Sequence, residues 1–493
     1  MRGSQQPPFQ TAARTFAMEG PQLSIAVVCI QKSGHMLCLL RICAELCKRG
    51  HKVRVYTAEY GKDEFEKKVK QTGAEFVALD MQGKTEESIT QEADKKGVFE
   101  NLELSAVMLP ALRQECAKSK PDVVLADFAS AAGPVLAEEM DLPLLINLPG
   151  PLSVLQAFIG MADASTGFNF LGLHLERQRL SMPAFARWTN VFSFGTWGAQ
   201  LHHHVGRGAI VLVQTIWGLD QTLPIYPNVV VTGPVLPPAA NLREKLAREH
   251  VELHQFLRAS DGSGSSVGVV YVTTGSMAKL HDWQVRVLFS GLKKTQCRVV
   301  WSLKEELHQF LPVKDDPDFF IRKWTPQAEL LQDPAIKVVI THCGWGGTLE
   351  TLTAGKPIVA IPFFAEQPVN ACLLKDRGVA ELIGRIPKGI GREHNPYKEG
   401  WMTEETVYSA VSKVMRSPSY TEEARKLMKA SQASGGVAAA AQQVEWAGWH
   451  GIHHLKPTNF QGSTGSSPFS GCLAGLAAVC ACSVMHLKFG CLM

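Results

Sequence analysis

KVVITHCGWGGTLETLTAGKP, residues 337 to 357, places an apolar run, three closely spaced glycines and a helical pattern in immediate succession. The run Val338 to Ile340 is typical of a buried strand. The spacing of Leu349 and Leu352 suits a helix, and Gly355 provides its stop signal. The glycines are therefore predicted to lie at a turn between a strand and a helix.

Such a turn exposes backbone amides at the positive end of a helix dipole, where a phosphate group binds well. Glu350, in the first part of the helix, then suits the vicinal hydroxyls of a ribose. Cys343 could instead be a nucleophile, or His342 and Cys343 could be zinc ligands, but the neighbouring sequence offers neither a positioned base nor further ligands at a workable spacing. A purely structural turn remains the alternative.

The same alternation of strand and helix runs through two long parts of the chain. In the first, LSIAVVCI and KVRVYT flank a helical segment that ends at Gly50, and DVVLAD and LPLLINL flank another. The second begins at VGVVYVTTGS and continues through RVVWSL, FFIRKW, KVVITHCGW and KPIVAIPFF. Because apolar strands joined by helices form parallel sheets covered on both faces, we predict an α/β protein with two doubly wound halves.

Length and composition agree with two large domains. The 493 residues exceed the ~100 to 200 residues of one typical domain. With 45% apolar and 19% charged residues and a formal charge of +4, the chain gives no reason to expect nucleic acid as a partner. Its 12 cysteines are scattered without a CxxC pair, which indicates reduced thiols in a cytoplasmic protein.

Breaks in the pattern set the predicted boundaries. Between Pro237 and Ser266 the sequence is first Pro-rich, then charged and helical, then Gly/Ser-rich, as in a linker. We predict a disordered leader at 1–22, an N-terminal domain at 23–240, a linker at 241–266, a C-terminal domain at 267–435, a helix at 436–457 able to pack back on the N-terminal domain, and a spacer with an apolar tail at 458–493.

The two ends leave alternatives open. The leader lacks the apolar stretch of a secretory signal, and an organelle transit peptide is the alternative to disorder. The uncharged run Phe469 to Met485 has 17 residues, the lower limit for crossing a bilayer. Membrane association through this tail therefore stays open beside the predicted cytoplasmic location.

The segment from Trp324 to Gln367, WTPQAELLQDPAIKVVITHCGWGGTLETLTAGKPIVAIPFFAEQ, has 44 residues and resembles the donor-binding signature of the family 1 UDP-dependent glycosyltransferases. QTIWGLD, VVVTGPVLP and SPSYTEEARKL also resemble this family, so the likeness extends over roughly residues 23 to 457. The resemblance implies a GT-B fold, in which two Rossmann-like domains face each other across a cleft. It assigns the UDP-sugar to the C-terminal domain and the acceptor to the N-terminal domain.

The resemblance also implies a role for each matching donor-site residue. Trp324 would stack on the uracil, Gln327 would contact the base or ribose, and Glu350 would bind the ribose hydroxyls. The sugar would meet Trp345, Glu366 and Gln367. The diphosphate would be held by His342 and the amides that follow it, with the upstream Gly-Ser turn: Gly275, Ser276, His342, Gly344, Gly346 and Gly347.

Four positions depart from the family pattern. Asp333 stands where the signature usually has histidine, Gly346 where it has asparagine, and Gly347 where it has serine. Cys38 replaces a proline that usually follows the N-terminal histidine. We interpret the departures within the signature as a weaker or altered hold on the donor and not as a loss of activity, because a glycine amide still offers its own N–H.

A histidine and an aspartate follow the first strands of the N-terminal half. His35 comes just after the first strand, and Asp127 ends the strand DVVLAD. Both are expected at the carboxyl edge of the sheet, where folds of this type place their ligands. A histidine there can take a proton from an acceptor hydroxyl, and an aspartate can orient it. The His and Asp pair of the family falls on these two positions.

No metal or cofactor is expected. UDP is a good leaving group, and helix termini can stabilise its growing charge. The DxD-shaped triplet Asp316 to Asp318 is predicted to be a surface loop. The run His202 to His204 is predicted to be a solvated helix face, because adjacent helical side chains point in different directions.

Together these features predict an inverting glycosyltransferase that moves a hexose from a UDP-sugar to a hydroxyl of a small lipophilic acceptor. Family analogy at Trp345 and Gln367 favours glucose, with UDP-glucuronate and UDP-galactose left open. The acceptor pocket is assigned to residues 157–211, whose irregular pattern does not identify the acceptor. A non-catalytic nucleotide-sugar-binding protein on the same fold is the alternative.

Overall fold

The structure is a computed structural model, and it describes residues 20–96, 100–152, 154–155, 201, 203–220, 225–237, 241–258, 268–275, 278–364, 366–384 and 395–456. Of the segment assigned to the acceptor, only residue 201 and residues 203–211 are among these. Residues 1–19 of the predicted leader and the apolar tail lie outside the described residues.

Thirteen strands in the described residues form two sheets, and every pair of neighbouring strands is parallel. The first sheet contains β1 (Ser24–Val28), β2 (Lys52–Ala58), β3 (Glu75–Leu79), β4 (Val123–Asp127), β5 (Leu144–Leu148), β6 (Ile210–Val213) and β7 (Val229–Val231). The second contains β8 (Val269–Thr273), β9 (Arg298–Ser302), β10 (Phe319–Arg322), β11 (Ile336–Thr341), β12 (Ile358–Ala360) and β13 (Ala380–Leu382).

Helices cover the two sheets. Those of the N-terminal half are α1 (Ser33–Lys48), α2 (Lys62–Gln71), α3 (Glu86–Lys96), α4 (Glu100–Lys118) and α5 (Ala132–Glu139). Those that follow are α6 (Leu242–Glu249), α7 (Val251–Arg258), α8 (Asp282–Lys294), α9 (Gln327–Leu331), α10 (Trp345–Thr353), α11 (Gln367–Asp376), α12 (Glu404–Arg416), α13 (Pro418–Gln432) and α14 (Gly436–His450). Short 3₁₀ helices occur at Glu59–Gly61, Glu305–Phe310 and His453–Leu455.

The order of the strands gives each sheet one place where a ligand site is expected. The first sheet runs β3-β2-β1-β4-β5-β6-β7 and the second runs β10-β9-β8-β11-β12-β13. The order reverses between β1 and β4 in one sheet and between β8 and β11 in the other. Because the chain leaves such neighbouring strands in opposite directions, a crevice opens at their carboxyl ends. The two predicted doubly wound halves are therefore present, each with its own crevice.

Continuous burial explains why the apolar segments form central strands. All five residues of β4 and all five of β8 are buried, and they belong to the polypeptide's apolar runs VVLAD and VVYVT. A strand buried on both faces reads as a continuous apolar run, as in parallel sheets covered by helices. The first sheet has a large apolar core, and the second sheet has separate apolar clusters on its two faces.

The prediction of a linker at 241–266 is wrong for residues 241–258, which form α6 and α7. Leu246, Leu253 and Leu257 from these helices are buried in one cluster with Tyr271 and Val339 of the second sheet. The charged residues that suggested a linker occupy the outer faces of the two helices. This helix pair is therefore part of the C-terminal domain.

The helix α14 returns to the N-terminal sheet. Its residues Val444 and Ala447 are buried in the core of the first sheet. Its Glu445 accepts a hydrogen bond from Arg49 at 2.7 Å and contacts the imidazole of His51 at 3.0 Å. The N-terminal domain is thus built from two separate stretches of the chain.

Candidate functional site

His35 and Asp127 lie at the crevice of the first sheet. His35 is in the first turn of α1, which follows β1, and Asp127 is the last residue of the neighbouring strand β4. Nδ1 of His35 lies 3.1 Å from Oδ1 of Asp127 and 3.0 Å from Oδ2. Asp127 is fully buried and also accepts a hydrogen bond from the amide of Ala129 at 3.2 Å. The carboxylate therefore holds the imidazole in one orientation.

The surroundings of His35 favour a base that works near neutral pH. Burial of the imidazole lowers its pKa, but the charge and hydrogen bond of Asp127 outweigh this, so the pKa of His35 is raised above its usual value. The ring of Phe128 stacks on the imidazole at 5.4 Å between centroids. Because Nδ1 faces Asp127, Nε2 is the nitrogen left to accept a proton from a ligand.

Glu366 approaches His35 from the other domain. It immediately precedes α11, and its charge raises the pKa of His35. Burial raises the pKa of the Glu366 carboxyl itself, while its own backbone amide and the charge of His35 lower it. The neighbouring Gln367 is buried, and its side-chain oxygen accepts hydrogen bonds from the amides of Phe363 and Phe364. The two domains thus meet at His35.

Glycines and a histidine occupy the crevice of the second sheet. Gly275 follows β8, while His342 and Gly344 follow the neighbouring strand β11. A Cβ atom would lie 2.6 Å from His342 Cε1 if added to Gly275, and 2.4 Å from His342 Nε2 if added to Gly344. Gly275 also has a φ of 69°. The two glycines therefore enclose the imidazole as no other residue could.

Burial decides the charge of His342. It lowers the pKa of the imidazole to about 4, although a hydrogen bond with the backbone of Thr273 acts in the opposite direction. His342 is therefore neutral at pH 7 when the crevice is empty. Positive potential for an anion there comes from the N-terminus of α10, which begins at Trp345.

Gly346 and Gly347 lie in the first turn of α10 with open space beside them. A Cβ atom at Gly346 would have no neighbour within 4 Å, and one at Gly347 would lie 3.6 Å from Gln327 Nε2. The side chains that the family usually has here would fit, so their absence leaves the amides of this turn more exposed. Ser276, which is also predicted to help hold the diphosphate, lies outside the described residues.

Glu350 lies further along α10, and neighbouring side chains fix its carboxylate. Gln327 donates from Nε2 to Glu350 Oε2 at 2.5 Å and accepts from the hydroxyl of Tyr271 at 3.0 Å. Burial raises the pKa of Tyr271 to about 12, so its hydroxyl remains a donor. Gln327, predicted to contact the base or ribose, thus serves here to orient Glu350.

Trp324, which is predicted to stack on the uracil, lies at the surface. Its side chain is 64% exposed, and its ring lies 6.0 Å from that of His250 between centroids. It comes just before the helix α9 that carries Gln327. An exposed indole offers a flat apolar face on which a base can stack.

The expectation that the side chain of Trp345 meets the sugar is wrong for this structure. The indole is 5% exposed, and its Nε1 donates to the backbone oxygen of Gln214 in the other domain at 2.7 Å. Leu349 and Ile216 share its apolar cluster. Because the indole N–H is already bonded and the ring is buried, Trp345 joins the two domains.

The expectation that Asp333 weakens the hold on the donor is wrong for this structure, because Asp333 lies far from the crevice. It precedes β11 and therefore lies at the opposite end of that strand from His342, roughly 20 Å away at ~3.3 Å per residue. Its buried carboxylate pairs with Arg258 of α7 at 2.5 Å and accepts from the amide of Ala335 at 2.8 Å. Asp333 attaches α7 to the C-terminal domain.

Sequence reasoning missed three residues that organise the cleft. The hydroxyl of Tyr271 donates a hydrogen bond to Gln327, and the backbone oxygen of Gln214 accepts one from the indole of Trp345. Arg41 of α1 lies 3.7 Å from Glu350. The only signal for Arg41 was a charge inside the otherwise apolar stretch MLCLLRIC. Tyr271 lay inside a strand pattern, and Gln214 acts through its backbone, so neither carried a signal.

Two groups of residues bear on metal binding. Asp316 and Asp318 of the DxD-shaped triplet both accept hydrogen bonds from Lys293, at 2.8 and 2.6 Å.

Among the described residues, Glu138, His203 and His204 have potential ligand atoms within 4.8 Å of one another. The prediction that these adjacent histidines diverge is therefore wrong for this pair, since both approach one carboxylate. Arg207 lies 3.4 Å from that carboxylate and supplies the positive charge there. His202 lies outside the described residues.

None of the described helices is long and apolar enough to cross a membrane.

Comparison with solved structures shows the fold. Os79 from O. sativa, solved in complex with UDP, matches with a TM-score of 0.64 at 18% identity, over 86% of this chain and 99% of that chain. The calicheamicin glycosyltransferase CalG4 matches with a TM-score of 0.59 at 19% identity, over 86% of this chain and 98% of that chain. The predicted GT-B fold is confirmed.

Comparison with curated proteins identifies relatives. UDP-glucuronosyltransferase 2B1 of Rattus norvegicus is 28% identical over 357 residues, which are 67% of this chain and 62% of that protein. UDP-glucuronosyltransferase 2B23 of Macaca fascicularis is 24% identical over 477 residues, 86% of this chain and 84% of that protein. The chain thus spans about three fifths of the length of the rat relative.

The family comparison covers the whole C-terminal domain and part of the N-terminal one. The model of the family described as UDP-glucoronosyl and UDP-glucosyl transferase matches residues 167–458, which is more than half of the chain. The matched part includes the crevice of Gly275 and His342 together with Trp324, Gln327 and Glu350. The chain therefore belongs to the UDP-glucoronosyl and UDP-glucosyl transferase family.

Proposed function

We propose that the protein transfers a hexose from a UDP-sugar to a hydroxyl group of a small lipophilic acceptor, with inversion at the anomeric carbon. The observation that carries this proposal is the pair of facing crevices. One holds His35 on Asp127, and the other holds the amides of α10 with His342, Gln327 and Glu350. A proton acceptor and an anion-binding turn on opposite walls are what displacement of UDP by a hydroxyl requires.

The proposed reaction assigns one task to each wall. Nε2 of His35 takes the proton of the acceptor hydroxyl while its oxygen bonds to the anomeric carbon, and Asp127 stabilises the resulting imidazolium. The bond between the anomeric carbon and the diphosphate breaks on the opposite side, so the configuration inverts. The N-terminus of α10 stabilises the negative charge that develops on UDP.

We propose glucose as the transferred sugar. Glu366 is the acidic group at the sugar end of the cleft, beside His35. A carboxylate accepts hydrogen bonds from hydroxyl groups, whereas it would repel the carboxylate of a glucuronate. This supports UDP-glucose over UDP-glucuronate, although the rat and macaque relatives are named as glucuronosyltransferases.

The test is release of UDP by the purified full chain. UDP-glucose, UDP-glucuronate and UDP-galactose are each offered with a panel of phenols and sterols, and UDP is measured with and without acceptor. We expect acceptor-dependent release with UDP-glucose. His35→Ala should lower the rate by about 10² to 10⁴-fold, the range for loss of a general base, and leave UDP affinity within about twofold.

The matched control is His308→Ala, because His308 bonds the backbone of Leu303 in the C-terminal domain. It should keep full activity. Binding of UDP without turnover, unchanged by His35→Ala, would instead identify a nucleotide-sugar-binding protein. Turnover with UDP-glucuronate alone would keep the reaction and correct the sugar.

A further inference from the structure

Arg41 reaches across the cleft from the acceptor-binding domain to the predicted ribose site. It projects from α1, the helix that carries His35. Its Nη1 donates to the backbone oxygen of Val235 at 2.8 Å, which fixes the guanidinium beside the chain crossing between the domains. Its Nη2 lies 3.7 Å from Oε1 of Glu350.

The distance between Arg41 and Glu350 suits a hydroxyl group that bonds to both side chains. A separation of 3.7 Å is longer than the 2.7–3.2 Å of a direct N–H···O hydrogen bond, so Nη2 and Oε1 face each other without one. The other carboxylate oxygen, Oε2, is occupied by Gln327. A hydroxyl can accept from a guanidinium and donate to a carboxylate at the same time. Both side chains remain accessible, at 27% and 20% exposure.

The charges at this place select the ligand. An arginine alone would suit a phosphate, but the carboxylate of Glu350 beside it opposes a second negative charge. The anion seat is separate, at Gly275, His342 and the first turn of α10. A neutral vicinal diol satisfies both the guanidinium and the carboxylate without leaving either charge unpaired.

We propose that Arg41 and Glu350 form a two-sided clamp on the ribose hydroxyls of the donor, with one charged group from each domain. This inference rests on the proposed function, since it concerns the nucleotide of the same UDP-sugar. Through the clamp, the acceptor-binding domain contacts the donor nucleotide directly, so binding of the nucleotide holds the two domains together.

The test compares two ligands that differ only in the ribose hydroxyls. Dissociation constants of UDP and of 2′,3′-dideoxyuridine 5′-diphosphate are measured by calorimetry on the full chain and on Arg41→Gln. Because hydrogen bonds to charged groups are among the stronger ones, we expect Arg41→Gln to weaken UDP by about tenfold. Binding of the dideoxy ligand should stay within about twofold.

The matched control is Arg49→Gln. Arg49 lies on the same helix, but it pairs with Glu45 and Glu445 away from the cleft. It should leave the ratio of the two dissociation constants unchanged. In a Glu350→Gln background, Arg41→Gln should have much less effect on UDP than it has alone, because both groups act on the same hydroxyls.

Two results would overturn the clamp. An equal loss for UDP and the dideoxy ligand would show that Arg41 acts on the diphosphate, and unchanged UDP binding would show that it makes no contact. If Arg41→Gln does not fold, Arg41→Lys serves the same comparison, because it keeps the charge and loses the planar pair of donors. A wild-type chain that binds no UDP rejects the proposed function itself, whereas UDP binding with an unaltered ratio rejects only the clamp.

Discussion

The crevices of the two sheets have the same topology and opposite chemistry. In the first, the residues after β1 and at the end of β4 are His35 and Asp127, a buried carboxylate paired with an imidazole of raised pKa. In the second, the residues after β8 and β11 are Gly275 and His342, where the imidazole is neutral and backbone amides are exposed. The fold therefore gives both crevices the same form, while under the proposed function their side chains make one crevice a proton acceptor and the other an anion site.

Asp127→Asn tests the proton side and should have the largest effect. Without the carboxylate, burial dominates and the pKa of His35 falls. The base must be neutral to accept a proton, so the acid limb of the pH–rate profile should move to lower pH. The imidazolium formed in the reaction also loses its partner, and we expect the plateau rate to fall by roughly 10² to 10⁴-fold.

The measurement is the pH dependence of UDP release, with UDP affinity determined in parallel. Affinity should stay within about twofold, because Asp127 belongs to the other crevice. If the acid limb stays in place while the rate falls, Asp127 does not set the pKa of His35.

Gly275→Ala tests the anion side. The added Cβ would lie 2.6 Å from the imidazole of His342, which must then move into the space of the diphosphate. We expect UDP affinity to fall on the order of 100-fold, from this displacement together with the strain of a φ of 69°.

The control for this change is Gly83→Ala. Gly83 has a φ of 73° with no neighbour within 4 Å of an added Cβ, so the replacement causes similar backbone strain without a clash. Its UDP affinity should remain that of the wild type. If both variants lost the same amount of UDP affinity, the cause would be reduced stability, and Gly275 would be excluded from the anion seat.

Trp324→Ala sharpens the comparison at the outer end of the anion side. Loss of an aromatic face under the base should weaken UDP binding by about 1 to 3 kcal/mol. Trp217 is also an exposed tryptophan, at 54%, and Trp217→Ala serves as its control. Titration with UDP measures both. An unchanged dissociation constant for Trp324→Ala would exclude this residue from the site.

Protonation of His342 should give the smallest effect. Its pKa of about 4 leaves it neutral in the empty crevice, and a bound diphosphate favours the charged form, so binding should take up a fraction of a proton. The affinity for UDP-glucose, whose phosphates do not titrate in this range, should therefore rise a few-fold as the pH falls from about 8 to about 6. Calorimetry in two buffers of different ionisation enthalpy counts the proton, and His342→Gln should remove the uptake.

The sequence carried enough information for the fold because the relevant signals are local. The strands VVLAD and VVYVT are buried on both faces, so their sequences are almost continuously apolar. Such runs predict buried parallel strands directly. The pairing of His35 with Asp127 was also predictable, because residues that end or closely follow neighbouring parallel strands lie at the same edge of the sheet. The resemblance of the segment from Trp324 to Gln367 to the family signature supplied the predicted role of each donor-site residue.

The errors came from contacts between elements distant in the chain. Whether Trp345 faces a sugar or Gln214 depends on how the two domains meet, and Asp333 could be understood only once α7 was seen beside it. The charged pattern of α6 and α7 resembled a linker because the faces that bury Leu246 and Leu253 have few apolar residues. Arg41 was missed for the same reason, since its partner is 309 residues away.

The return of α14 to the first sheet has a consequence for dissecting the protein. The chain crosses between the domains twice at neighbouring places, since the amide of Gly436 donates to the backbone oxygen of Thr232 at 2.8 Å. Cutting the chain after residue 237 would therefore yield an N-terminal fragment that lacks part of its own core. Such a fragment should become a stable folded unit only when residues 436–456 are fused to it or supplied as a separate peptide.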